Sequence, residues 1–170
     1  MSTAFRVMFN LILVLSFLFI FNTCTKLPDD KLMDKAKTLE TEEEFEQAVK
    51  YYDQLVEDYP SSPFCTEALY RAGLIYSNPI GESSKAISRL KQVIEKYPDS
   101  KFAPQSQFML GFIYANNLSD TLKAKQEYTE FLEKYPEHEL ITSVKWELKY
   151  LGKDISEIPL INELETNIEE

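Results

Sequence analysis

The chain has 170 residues, enough for one domain with a sizeable core, and 44% of them are hydrophobic. Its 18 basic and 28 acidic residues give a formal charge of −10. That balance argues against nucleic acid, whose phosphates call for a basic face, and against broad attraction to anionic lipid.

The N-terminus comes first in chain order. Met1 to Arg6 holds one positive charge, and Val7 to Phe21 is apolar apart from Asn10 and Ser16. A charged start, an apolar stretch and a small residue before the break read as a secretory signal over residues 1–23. Cys24, just past the run, resembles the lipidated cysteine of bacterial lipoproteins, although Phe21 and Thr23 depart from the preferred lipobox residues. Residues 24–29 are then a lipidated linker. The resemblance implies an outer-membrane anchor on the periplasmic side, because Thr25 is not the aspartate that favours inner-membrane retention. The alternative is an uncleaved inner-membrane anchor. Val7 to Thr25 is 19 uncharged residues, which at ~1.5 Å per residue just cross a ~30 Å hydrocarbon core.

The rest of the chain is periodic. Tyr59-Pro60, Tyr97-Pro98 and Tyr135-Pro136 recur every 38 residues, a period typical of stacked helical units that cannot bury their apolar faces alone. In the first unit Leu32, Met33, Ala36 and Leu39 form a helical stripe, and Thr41 with Glu44 reads as a capping box for the next helix. Ala48, Ala86 and Ala124 share one phase, and Leu55, Val93 and Phe131 share another. These columns place second helices near 43–58, 82–96 and 120–134, each stopped by its proline. The tyrosine before each proline is expected to be extended.

First helices restart after the prolines. Ser62-Pro63 reads as an N-cap followed by proline at the first helical position, with Ser100 in the same phase. Gly73 and Gly111 return in phase inside these helices, which predicts the close approach of a neighbouring helix backbone. Pro79-Ile80-Gly81 and Asn116 to Ser119 are the turns within units. In the last unit Lys149 and Gly152 replace the glycine and tyrosine of the pattern. Ile158, Ile161, Leu164 and Ile168 then suggest a short closing helix in an acidic cap or tail over 156–170.

Gly73, Tyr76, Ala86, Leu90, Val93 and Pro98 resemble the skeleton of the tetratricopeptide repeat, as do Gly111, Tyr114, Ala124, Tyr128, Phe131 and Pro136. The resemblance covers residues 30–155. It implies an all-α solenoid of antiparallel helix pairs, about three repeats of 38 residues plus a C-terminal capping segment. The long repeat with Tyr-Pro-x-Ser at its junctions looks like two groups of bacterial envelope proteins. One is the BamD-like lipoproteins of outer-membrane β-barrel assembly, which carry more repeats. The other is the cell-division coordinators associated with the Tol-Pal system, which act in envelope constriction and peptidoglycan synthesis. A purely structural subunit of an envelope complex is a third reading.

No catalytic pattern emerges. There is one histidine, His138, in a turn, with no metal-ligand spacing, no glycine-rich phosphate loop and no serine elbow. Glu42, Glu43, Glu44 and Glu46 lie at a helix start, where they complement the helix dipole. Cys65 falls in an apolar column with Ala103 and Ile141, as a small core residue. The sequence therefore predicts no enzyme, cofactor, metal or small-molecule substrate. The partners would be envelope proteins or an extended peptide segment. The candidate grip is aromatic: Tyr70, Phe108 and Trp146 share one phase, and Phe112 and Tyr150 another. Such a column either lines a binding groove or fills the seams between helices.

Overall fold

A computed structural model describes residues Lys26–Lys153 and Glu157. Among the described residues seven α-helices follow one another: α1 (Asp29–Thr41), α2 (Phe45–Asp58), α3 (Cys65–Ser77), α4 (Ser83–Lys96), α5 (Phe102–Phe112), α6 (Thr121–Lys134) and α7 (Ile141–Tyr150). A π-helical turn, Ile113–Asn117, extends α5. Each helix packs on the next, and α3 also touches α5, so the described residues form an all-α stack of antiparallel pairs without strands. The signal region 1–23, Cys24 and nearly all of the 156–170 tail lie outside the described residues.

The second helices α2, α4 and α6 lie within two residues of their expected bounds. Their columns fill the core: Ala48, Ala86 and Ala124 are fully buried, as are Leu55, Val93 and Phe131. A further column, Tyr52, Leu90 and Tyr128, is also fully buried.

The three Tyr-Pro junctions are built alike. Tyr59, Tyr97 and Tyr135 have φ of −135°, −135° and −127°, with ψ of 61°, 54° and 56°. The tyrosine is therefore only half extended. The proline forbids helical ψ, but the tyrosine N–H still donates to the carbonyl four residues back, on Leu55, Val93 or Phe131. Each proline then sits inside a turn in which the third residue after the tyrosine closes back on the tyrosine carbonyl. Ser62, Ser100 and His138 make that bond at 2.8, 3.0 and 3.2 Å. Ser62 is not a helix N-cap as expected, because α3 starts at Cys65; its hydroxyl instead accepts from the Phe64 N–H within the turn. The tyrosine rings reach the preceding junction, with Tyr59 OH donating to the Leu27 carbonyl and Tyr97 OH to that of Pro60.

The turns within units repeat too. Glu43, Gly81 and Ser119, one period apart, all have left-handed φ, at 61°, 77° and 52°. Only the middle one is the glycine that this geometry favours. The expected capping box of Thr41 and Glu44 does not form: helix α1 continues through Thr41, whose hydroxyl donates to the Lys37 carbonyl. The left-handed Glu43 makes the reversal instead.

The two in-phase glycines do meet a close neighbour, and the nearest atoms are a side chain's, although at Gly73 the Ala86 backbone carbonyl also comes within 3.6 Å of the Cβ position. A Cβ on Gly73 would lie 2.8 Å from Leu90 Cδ2, and one on Gly111 would lie 2.5 Å from Tyr128 Cδ1. The glycine lets the large residue of the buried column press onto the first helix of its own unit. A leucine end can rotate away; a buried ring cannot.

Polar ties cross the seams between helices, both between units and within them. Arg89 on α4 grips Asp53 on α2 with two bonds of 2.7 and 2.9 Å, and Tyr76 OH on α3 donates to the same carboxylate at 3.1 Å. Between α5 and α6, buried Gln107 donates to the Glu127 carboxylate at 2.6 Å. Cys65 is fully buried, its thiol pointing at the Tyr59 carbonyl, and burial pushes its pKa up.

Two outcomes test this packing. Gly111→Ala should destabilise the fold by about 1–3 kcal/mol through overpacking, and Gly73→Ala by clearly less, as read from urea midpoints. Equal losses would mean that the ring is no stiffer an obstacle than the leucine. The second concerns Tyr76, whose pKa burial and the neighbouring Asp53 charge push up to about 12. The folded state thus favours the neutral phenol. Its contribution is complete below the ordinary tyrosine range and is lost as pH rises towards 12. Tyr76→Phe should therefore make the alkaline fall in stability shallower in a denaturation series.

Candidate functional site

The first helices α3, α5 and α7 carry the aromatic positions, and the structure divides them into three settings. Tyr70 is half-buried, with its ring 5.1 Å from that of Phe102 across the α3–α5 seam. Phe108 is also half-buried, 5.9 Å from Tyr128 on α6. Phe112 is 37% exposed and faces a cleft of about 420 Å³. Trp146, 46% exposed, stacks 5.0 Å from Tyr150, and the pair lines a separate cavity of about 650 Å³ at the far end of the stack. The five residues do not form one continuous ladder.

The first cleft joins the C-terminal ends of three first helices. Glu40 comes from α1, Leu74 and Ile75 from α3, and Met109 and Phe112 from α5, with Phe45 and Pro79 closing the sides. The floor is apolar, formed by Leu74, Ile75, Met109 and Phe112. Buried Ser77 and the side chains of Asn78 and Asn117 add a polar edge. Asn117 is held in place, since its amide donates to the Ser77 carbonyl at 2.9 Å. The reach of Asn117 follows from the π-helical turn, which carries it past the end of α5. Sequence reading missed Leu74 and Met109. Leu74 shares its phase with Phe112 and Tyr150, so its signal lies in the repeat phase and not in an aromatic ring.

Charge beside the cleft is neutralised within the protein. Glu40 accepts from Arg71 at 3.2 Å through both oxygens and from Tyr52 OH at 2.5 Å. Arg71 Nε and Lys37 Nζ each lie 2.8 Å from Glu67 Oε1. Burial opposes ionisation of Glu67, but Lys37 and Arg71 outweigh it and hold its carboxyl below the usual range. Two acids and two bases thus lock α1 to α3 and leave little net field. Burial and Glu40 together push the Tyr52 phenol well above the ordinary tyrosine range.

Nothing in this arrangement pairs a nucleophile with a base. His138 accepts from the Leu140 N–H through Nδ1 and stacks edge-on against Phe131, so it braces a turn. Among the described residues no cluster of three His, Cys, Asp or Glu side chains is placed to hold a metal. None of the described helices is long and apolar enough to cross a membrane. An apolar cleft edged by amides is suited to gripping side chains of a peptide. The lipidation candidate Cys24 lies outside the described residues.

Comparison with known proteins agrees with the architecture. A family model described as a tetratricopeptide repeat matches residues 32–62, 67–100 and 105–138, more than half of the chain. Among solved structures, the chain is similar to the tetratricopeptide domain of Sgt2 from Aspergillus fumigatus, at 18% identity and a TM-score of 0.56. That likeness covers 77% of this chain and 85% of the other, and it speaks for the fold alone. No curated protein matches the sequence. The repeats suggest a protein–protein interaction scaffold. With three matched repeats and the helix-pair stack they build, the chain belongs to the tetratricopeptide-repeat family.

Proposed function

We propose that this chain is a lipid-anchored, non-enzymatic adaptor on the periplasmic side of the outer membrane. Its cleft between Leu74 and Phe112 holds an extended segment of another envelope protein, in the service of outer-membrane protein assembly. The observation that carries the binding role is the uncovered apolar floor of Leu74, Met109 and Phe112, spread over successive first helices. Residues spaced by whole repeats suit a partner that lies along the stack and presents side chains at intervals. The envelope setting rests on the signal-like residues 1–23 with Cys24 behind them, and on the Tyr-Pro-x-Ser junctions of the BamD-like resemblance. Several acyl chains on Cys24 would supply a stable tether without any spanning helix.

The role is tested in cells with a photocrosslinking residue at Met109. Recovery of barrel-assembly components supports the proposal. Recovery of Pal or peptidoglycan synthases would shift it to the Tol-Pal-linked reading, and self-contacts alone to a structural subunit. Leu74→Gln with Phe112→Gln should lower partner recovery roughly tenfold, as expected for two central anchors, at an unchanged melting temperature. Labelling with a lipid probe should be seen in the wild type and lost in Cys24→Ser. An unlabelled wild type removes the anchor.

A further inference from the structure

The far end of the stack carries a first helix whose unit is unfinished among the described residues. Helix α7 stands one 38-residue period after α5, and α5 is covered by α6. By the same period, a second helix of this unit would begin close to residue 159. The chain is already turning towards that place. Gly152 takes a left-handed φ of 76°, and Glu157 lies on the wall of the cavity that also holds Trp146 and Tyr150.

The next residues have the chemistry to continue there. Leu160, Ile161, Leu164 and Ile168 fall on one face at helical spacing, with Glu165 and Glu169 running along one border. No basic residue occurs from Asp154 to Glu170. Helix α7 offers the complement. Lys145 and Lys149 stand one turn apart, Lys153 follows four residues on, and the Lys149 and Lys153 ammonium groups sit 5.1 and 5.3 Å over the Tyr150 ring. An apolar Trp146–Tyr150 pair beside a basic row thus meets an apolar stripe with an acidic border.

We propose that residues 158–170 dock on α7 as the second helix of a fourth, shortened unit, covering Trp146 and Tyr150. The acidic border pairs with Lys145, Lys149 and Lys153. The segment is then a built-in occupant of the end cavity. Exposed ion pairs of this kind are weak and salt-sensitive. The cleft at Leu74 and Phe112 stays open to partners throughout. The inference holds whether or not that cleft binds an envelope protein.

Trp146 is the one tryptophan in the chain, so its fluorescence reports the cover directly. The test uses the full chain in detergent micelles with acrylamide as a neutral quencher. Leu164→Asp with Ile168→Asp should raise the quenching constant roughly twofold, as a half-exposed indole loses its cover, and shift emission to the red. Lys145→Glu with Lys149→Glu should act in the same direction without touching the segment, and so should molar salt. A synthetic peptide of residues 158–170 should reverse the change in the Leu164→Asp/Ile168→Asp chain. Equal quenching in wild type and both variant pairs overturns the proposal. So does protection that fades on dilution of the protein, which would assign the cover to a second copy.

Discussion

Everything in this fold hangs on a proline that ends a helix without letting the chain wander. At each Tyr-Pro junction the helix loses a donor and the tyrosine loses helical ψ, yet its N–H stays bonded to the last turn. The turn over the proline is then closed by a hydrogen bond to the tyrosine carbonyl. The next helix can start only at one distance and in one direction. Because the same geometry recurs three times, the units stack in register, and columns of like phase become columns of like burial. A stack built this way has mostly local contacts, and its stability is close to a sum over units and seams.

The seams differ in what holds them. Between the first and second units, charged groups dominate: Glu40, Arg71, Glu67 and Lys37 on one side, and Asp53, Arg89 and Tyr76 on the other. Towards the C-terminal end the burden passes to aromatic packing, with Phe108 on Tyr128 and Phe131 between Tyr135 and His138. The buried column follows the same trend, from Leu90 against Gly73 to Tyr128 against Gly111. A ring fills the larger gap but leaves no tolerance for a methyl group on the facing helix.

What the sequence disclosed follows from this logic. Period and phase are local properties, so the second helices, the buried columns and the burial of Cys65 were legible. Caps and close contacts were less so. Thr41 and Glu44 have the residue types of a capping box, but the chain reverses at left-handed Glu43, whose phase partner Gly81 was the clue. The glycines announced a close neighbour but not its nature. Tyr128 and Leu90 lie on another helix, and nothing in the phase says whether backbone or side chain fills the gap. The aromatic positions divided for a similar reason. Tyr70 and Phe108 are half-covered by the following helices, whereas Phe112 lies at a helix end beyond that cover. Cover comes from the next unit, and a column in one helix does not contain it.

The electrostatics of the cleft bear on how such an adaptor would select a partner. The chain is strongly acidic overall, yet the charges nearest the cleft are paired with one another. A partner approaching this floor meets little directed field, so association gains little from steering, and discrimination falls to the apolar contacts that govern dissociation. Leu74, Met109 and Phe112 differ in shape and stiffness. The unbranched Met109 adapts to several side chains, while Phe112 presents one rigid face. A floor of that kind favours partners by size and spacing of apolar side chains more than by sequence. The two asparagines at its edge add hydrogen bonds that an extended backbone can satisfy regardless of what side chains it carries. In the proposed role, the same repeat geometry that fixes the helices leaves a surface suited to a class of segments, not to a single one.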